Sequence, residues 1–344
     1  MEIVESILKL TNAYGVSGDE FGVAELAAEL LRPLVDRVEI DKLGNVTGYR
    51  SCGKPGAKKL MLDAHLDQIG FLVTEVTEEG FCRFIGMGVD QRMLPGSELT
   101  VLTKDGPLLG IVTSTPPHLQ NPGDQKKSVP ISEMTLDLGM SGEEARKKVK
   151  VGDYIAFAQE SVQLQNDIIC GKSMDDRACF VCILYALELL KEKPLEVDLV
   201  VVGSTKEEVG GQGARARAYV ERPDYAIAVD VTHAKTADST SADRVYDLGG
   251  GPVIGFGANS IPLFARRLTE VARAKEIPYQ VEAIASHSGT NAWSIQIVES
   301  GCVTAVVSLP LKYMHSPVEL LKLSDVRATG RLLAEFVGGF GGRL

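Results

Sequence analysis

The sequence predicts an α/β protein: a mostly parallel, mixed sheet flanked by helices, interrupted by an inserted domain with the texture of a β-barrel. From Ile168 onward, apolar strand-like runs alternate with helical ones, the pattern of a sheet covered on both faces. Between about Gly70 and Phe157 the texture changes to short β-like pieces cut by Gly and Pro turns. At 344 residues the chain has room for a main domain with a smaller one inserted.

Each element has its own signal. In "MEIVESILKL", Ile3, Val4, Ile7, Leu8 and Leu10 recur at helical spacing and predict an amphipathic first helix. Ser17 followed by Glu20 has the spacing of a capping box opening the helix "FGVAELAAELLRPL". "DRVEIDKLGNVTGYR" reads as two strands around a turn at Gly44-Asn45, and "KKLMLDAHLD" as a charged edge entering an apolar strand. The insert supplies "GFLVTEV", "GFCRFIG", "ELTVLT" and "LLGIVTS" as strands, the polar loop "PPHLQNPGDQKKSVP", a capped helix at "SGEEARKKV", and "GDYIAF". Then come a helix ("DDRACFVCILYALELLKE"), a strand ("VDLVVVGST"), a helix ("GARARAYVE"), a strand ("YAIAVDV"), a helix ("SIPLFARRLTEVARAKE") and a strand ("VTAVVSLP"). The expected division is a discontinuous domain, 1–69 and 164–344, interrupted by a β-rich one at 70–163.

Composition narrows the function. Hydrophobic content of 44% and charged content of 24% are those of a globular protein. A net charge of −10 argues against nucleic acid as a partner. No stretch approaches the roughly 20 apolar residues of a membrane span. Glu2 and Glu5 stand where a signal peptide wants positive charge, and the six cysteines favour free thiols in a reducing compartment. The expected location is the cytoplasm.

In open α/β sheets, ligands bind beyond the C-terminal ends of the strands. His65 and Asp67 follow "LMLDA"; Glu207 and Glu208 follow "LVVVGST"; Asp230 and His233 end "AIAV"; Tyr313 and His315 follow "TAVVSLP". Asp175 and Asp176 open the helix before the second of these strands. Taken singly, each has a bland reading as a cap, a solvated charge or a packed histidine. Together, two histidines and several carboxylates form a mixed N/O donor set suited to Zn²⁺, Co²⁺ or Mn²⁺. Glu207 and Glu208 are adjacent, and neighbours on an extended segment point to opposite faces, so the pair is expected to divide two jobs.

"LDAHLDQIGF", "SMDDRACF", "TKEEVGGQGA", "AVDVTHA" and "PLKYMHSPVE" resemble, in that order, the signature segments of the tetrahedral or deblocking aminopeptidases. These are co-catalytic, zinc-exopeptidase-like metallopeptidases that include glutamyl aminopeptidases, and some members carry the name endoglucanase M. The likeness runs from "YGVSGDE" through "DKLGN" and "LGGGPVI" to the last motif. It implies His65, Asp175 and Asp230 on one metal and Asp175, Glu208 and His315 on the other, with Asp175 bridging. It further implies Glu207 as general base, Asp67 as the carboxylate that orients His65, two divalent ions (zinc or cobalt, with manganese as a third option), and short peptides as substrates. The insert is expected to mediate dimerisation, with dimers assembling into larger hollow particles such as dodecamers. The chain departs from the family at Gln68, at Ala178-Cys179 and in "SHSGTNAWS" (Ser286 to Ser294), the last expected near the substrate pocket.

Other features have plainer readings. Cys179 and Cys182 form a C-x-x-C inside an apolar helix and read as small buried hydrophobes. His118 reads as a surface residue. His233 either lines the site or is structural, and His287 lies in a candidate pocket loop. Gly249 to Gly251 lack the Lys and Ser/Thr of a phosphate loop and read as a tight turn. Three rivals remain: a glycosidase, a deacylase or other amidohydrolase on the same metals, and a non-catalytic binding protein.

Overall fold

The structure, a computed structural model, describes residues 2–119, 123 and 127–344. The first segment holds α1 (Ile3–Asn12), α2 (Phe21–Leu31), β1 (Arg37–Ile40), β2 (Val46–Arg50) and β3 (Lys59–His65). The second holds β4 (Gly70–Val76), β5 (Phe81–Met87), β6 (Glu98–Thr103), β7 (Gly106–Val112), β8 (Leu136–Asp137), α3 (Gly142–Lys148) and β9 (Tyr154–Phe157). The third runs β10 (Val162–Gln163), β11 (Ile168–Gly171), α4 (Met174–Leu190), β12 (Asp198–Ser204), α5 (Gln212–Glu221) and β13 (Tyr225–His233). It ends with β14 (Val253–Gly257), α6 (Pro262–Ala274), β15 (Gln280–Ile284), α7 (Ala292–Ile295), β16 (Val303–Leu311), β17 (Glu319–Lys322) and α8 (Leu323–Gly339).

Eight strands form the main sheet in the order β1-β2-β12-β3-β13-β16-β14-β15. Its centre, β12-β3-β13-β16, is parallel. These strands are buried nearly end to end, which is why they read as continuous apolar runs. One core, which includes Leu60, Leu62, Phe180, Ile183, Ile227, Phe264 and Phe336, unites the sheet with α1, α4, α6 and α8. A smaller one packs α5 and α7 on the opposite face through Ala214, Ala218, Ile295 and Val202.

The six strands from Gly70 to Phe157 close a barrel in the order β4-β5-β8-β7-β6-β9. Alternate residues fill it, with Phe71 meeting Phe84 and Phe157 edge-on at ring distances of 5.3 and 5.6 Å. The capped helix predicted there is α3, whose Ser141 and Glu144 form a reciprocal capping box. His118 is exposed, as expected, while part of the polar loop lies outside the described residues.

The capping box expected at Ser17 is absent. The Ser17 hydroxyl donates to Asp67 Oδ2 (2.7 Å), Glu20 accepts the Gly18 N–H (2.8 Å), and no side chain caps α2. The spacing is that of a cap, but Ser17 is drawn to the distant Asp67, and Glu20 also accepts the N–H of the distant Lys206 at 3.2 Å. Cys179 and Cys182 are buried, free thiols inside α4. Gly249 and Gly251 do cradle an anion, an internal one: their N–H groups donate to Asp325 at 2.7 and 2.9 Å. Among the described residues, no helix is long and apolar enough to cross a membrane.

Candidate metal centre

The centre lies where the sheet splits. β3 and β13 are paired from Leu60↔Tyr225 to Asp63↔Ala228 and no further, whereas β3 stays paired with β12 as far as His65↔Ser204. Beyond Asp63 the two strands diverge, leaving a crevice at their C-terminal ends. His65 enters it from β3, Asp230 from β13, Glu207 and Glu208 from the turn after β12, and His315 from the loop after β16. Asp175 and Asp176 approach from the opposite side. Their backbone is non-helical, so they form the lead-in to α4.

Asp175 stands between the two histidines. Its Oδ1 is 3.1 Å from His65 Nε2, and its Oδ2 is 3.4 Å from His315 Nε2. Glu208 Oε2 lies 3.3 Å from the same His315 nitrogen. Two sets of donor atoms, each within 4.8 Å of one another, can hold a cation: His65 with Asp175 and Asp230, and Asp175 with Glu208 and His315. Glu207 Oε2 is 4.0 Å from His65 Nε2, at the edge of the first set. These residues line one cavity of about 280 Å³.

Asp67, fully buried behind the centre, ties its parts together. His65 Nδ1 faces the Asp67 carbonyl at 3.1 Å and its Oδ1 at 3.4 Å, an arrangement that puts the proton on Nδ1 and leaves Nε2 free to face Asp175. The carboxylate also accepts the N–H groups of Glu207 (3.0 Å) and Glu208 (3.2 Å). The adjacent glutamates are thus not on extended backbone. Lys206 is left-handed (φ 59°), and the pair occupies a turn that sends one side chain toward His65 and the other toward His315. Gly210 and Gly211, at φ 120° and 72°, complete that turn.

The groups set one another's charge. Burial, with Asp175 and Glu208 close by, pushes the Glu207 carboxyl up to about 8 against the pull of His65. Burial also raises Glu208 and Asp230. Burial pushes Asp175 up too, but its bonds to His315 and His65 outweigh that and hold it below the usual carboxylate range. Bonds to Asp175 and Glu208 push His315 up to about 11. Among the described residues, no lysine or arginine forms an ion pair with Asp175, Glu207, Glu208 or Asp230.

Sequence reasoning missed several supports. Glu319, buried at the start of β17, accepts the N–H of Asp175 (3.2 Å) and of His315 (2.9 Å) and so joins the two approaches to the centre. Asp176 accepts the His65 N–H at 3.1 Å. Arg177, fully buried, donates to the carbonyls of Leu10, Ala13, Gly15 and Leu66. A carboxylate or guanidinium inside an otherwise apolar segment was the available signal. Of the residues left open, His233 lines the cavity from an exposed position. His287 packs against Trp293 instead, the rings tilted by 38° at 4.5 Å, while its neighbours Ser288 to Thr290 line the cavity.

Residues 44–332 match the family described as M42 glutamyl aminopeptidase. The chain is 35% identical to a lysyl aminopeptidase of Pyrococcus furiosus, over 95% of this chain and 94% of that one. Among solved structures it resembles an aminopeptidase from the archaeon Desulfurococcus kamchatkensis, with a TM-score of 0.91 at 35% identity over 98% of this chain and 95% of that one. It also resembles the TET1 peptidase of Pyrococcus horikoshii, with a TM-score of 0.87 at 30% identity over 98% and 100%. The chain belongs to the M42 aminopeptidases, metal-dependent hydrolases of N-terminal residues.

Proposed function

We propose a two-metal aminopeptidase in which Asp175 is shared between the ions. The observation that carries this reading is the division of its two oxygens, one toward His65 and one toward His315. His65 and Asp230 would complete one site, Glu208 and His315 the other. The donor set fits: two imidazoles with carboxylates suit zinc or cobalt. Raised acids crowded without a lysine or arginine partner are a place a metal cation would relieve.

When bound, the ions would polarise the scissile carbonyl and make water a better nucleophile at neutral pH. Glu207 is the general base. Its carboxylate lies beside the first ligand set, 4.0 Å from His65 Nε2, where it can take a proton from water and hand it to the leaving amine. Asp67 holds both the His65 ring and the backbone of Glu207, keeping base and ligand in register. The cavity is at the small end for ligand sites, roughly 300–1,000 Å³, which favours the end of a short peptide.

We further propose that the barrel mediates dimerisation within a larger particle. Ile85, Leu109 and Ile111 are exposed on β5 and β7, and the Pyrococcus horikoshii relative can assemble into a tetrahedron or a large octahedral shell.

A glycosidase needs two carboxyls flanking the scissile bond and no metal, which leaves the two histidines unexplained. A panel of aminoacyl-anilides, acylated amines and one cellulose oligomer, with and without chelator, separates the readings. The expected result is chelator-sensitive release of N-terminal residues that requires a free α-amine. Metal-independent sugar release, or preference for the acylated amines, would overturn it.

A further inference from the structure

The turn that carries the proposed base is suspended from side chains. β12 ends at Ser204, and each of the next four backbone N–H groups donates to a side-chain oxygen. Thr205 donates to Asn45 Oδ1 (2.9 Å) and Lys206 to Glu20 Oε1 (3.2 Å). Glu207 and Glu208 donate to the two oxygens of Asp67 (3.0 and 3.2 Å). These acceptors lie between 140 and 186 residues away in the chain.

Lys206 is the pivot of this turn. Its φ of 59° is left-handed, a conformation that a long side chain rarely adopts and that persists where the surroundings dictate it. It turns the chain out of the line of β12, and the next residue, Glu207, comes within 4.0 Å of His65. The Lys206 carbonyl accepts the Gly211 N–H at 2.8 Å, which closes the turn on its far side. Glu20 holds the near side twice: Oε1 accepts the Lys206 N–H, and Oε2 lies 3.5 Å from the ammonium. Glu20 is buried, and the Gly18 N–H fixes its Oε1 at 2.8 Å. Its side chain gives no cap to α2, the helix that follows it. Ser17, in the same loop, holds Asp67 (2.7 Å), so the segment "YGVSGDE" backs the whole turn.

We propose that Glu20 is a positioning residue for the base: by holding the Lys206 N–H it keeps that residue left-handed and Glu207 aimed at the metal centre. The proposal rests on the reading of Glu207 as general base. Glu20 does not line the cavity, and its side chain bonds to Gly18 and Lys206, so it acts through the backbone of the turn. What matters is where its oxygen sits. An amide oxygen at the same reach accepts the N–H as a carboxylate does, whereas a carboxylate withdrawn by one methylene does not.

The test separates position from charge. Glu20→Gln keeps the oxygen and removes the charge; Glu20→Asp keeps the charge and withdraws the oxygen. Both are compared with wild type for kcat, KM and bound metal per chain on one aminoacyl-anilide. Glu20→Asp should lower kcat by about tenfold or more, the scale of a lost supporting contact, with KM and metal content within about twofold of wild type. Glu20→Gln should stay close to wild type in all three. Adding Lys206→Asn, which takes the left-handed conformation readily, should return most of the kcat lost in Glu20→Asp. Equal kcat in the two single variants, the reverse order, metal lost in step with kcat, or no return in the double variant overturns the assignment and leaves the aminopeptidase standing. A wild type that releases no N-terminal residue, or a Glu207→Gln variant with full kcat, overturns the underlying reading and this inference with it.

Discussion

The backbone N–H of Glu207 donates to Asp67 Oδ1 at 3.0 Å, so the proposed base is held by the same carboxylate that faces the His65 ring. Asp67→Asn swaps an acceptor for a donor that faces two N–H groups. Loss of a supporting group of this kind costs about 10–100-fold in metal affinity or activity. We expect both to fall in that range, read by metal analysis after dialysis and by kcat/KM.

Glu207 and Glu208 should fail differently. Glu207→Gln removes the proton acceptor and leaves the two ligand sets intact, so bound metal should match wild type while kcat drops about 10²–10⁴-fold. Glu208→Gln weakens one ligand set, and its lost activity should return in part with excess zinc or cobalt. Metal titration beside kcat distinguishes them. Equal metal loss in both would refute the division of roles.

The chelated protein should lose stability as pH rises from about 5 to about 8. Glu207, normally near 4.5, sits at about 8 in the folded chain, so its contribution is full below the first value and gone above the second. Glu208 and Asp230 are shifted the same way. His315, raised from 6.5 to about 11, adds loss of the same sign above neutrality. Asp175 is held low and acts in the opposite sense, but its window lies below 3.8. Bound divalent ions take the place of those protons, so the metal-loaded protein should gain stability over the chelated one as pH rises. Melting temperatures across this range in chelator and in zinc test it; a chelated curve that rises with pH contradicts it.

Leu109→Asp with Ile111→Asp places two charges on the exposed β7 face of the barrel, where those side chains are 57% and 43% exposed. If that face holds subunits together, light scattering should show a smaller particle with unchanged metal content per chain. An unchanged mass would move the contact elsewhere.

Much of this was legible in the sequence because the candidate metal ligands and the proposed base follow apolar strands. An apolar run that ends in His65, in Asp230 or just before Glu207 announces both the strand and the edge to which it delivers a side chain. The barrel was legible by texture. What escaped were contacts whose partner is far along the chain. Ser17 and Glu20 had the spacing of a cap, yet Ser17 serves Asp67 and Glu20 accepts the Lys206 N–H at 3.2 Å. Glu319 reads as the first residue of a strand and Arg177 as one turn of a helix. Periodicity reports which face a residue occupies, and says nothing of which backbone groups wait there.

The place of β3 in the sheet bears on how the chain is born. Its Leu62 is paired with Val201 on one side and Ile227 on the other, both made long after it. A ribosome therefore releases the central strand of the sheet with neither neighbour in existence. The barrel, contiguous and closed by nearer pairings, comes next and can fold while β3 waits beside it. His65 thus meets Asp230 and His315 only near the end of synthesis, so the proposed metal centre is assembled at the last stage of folding.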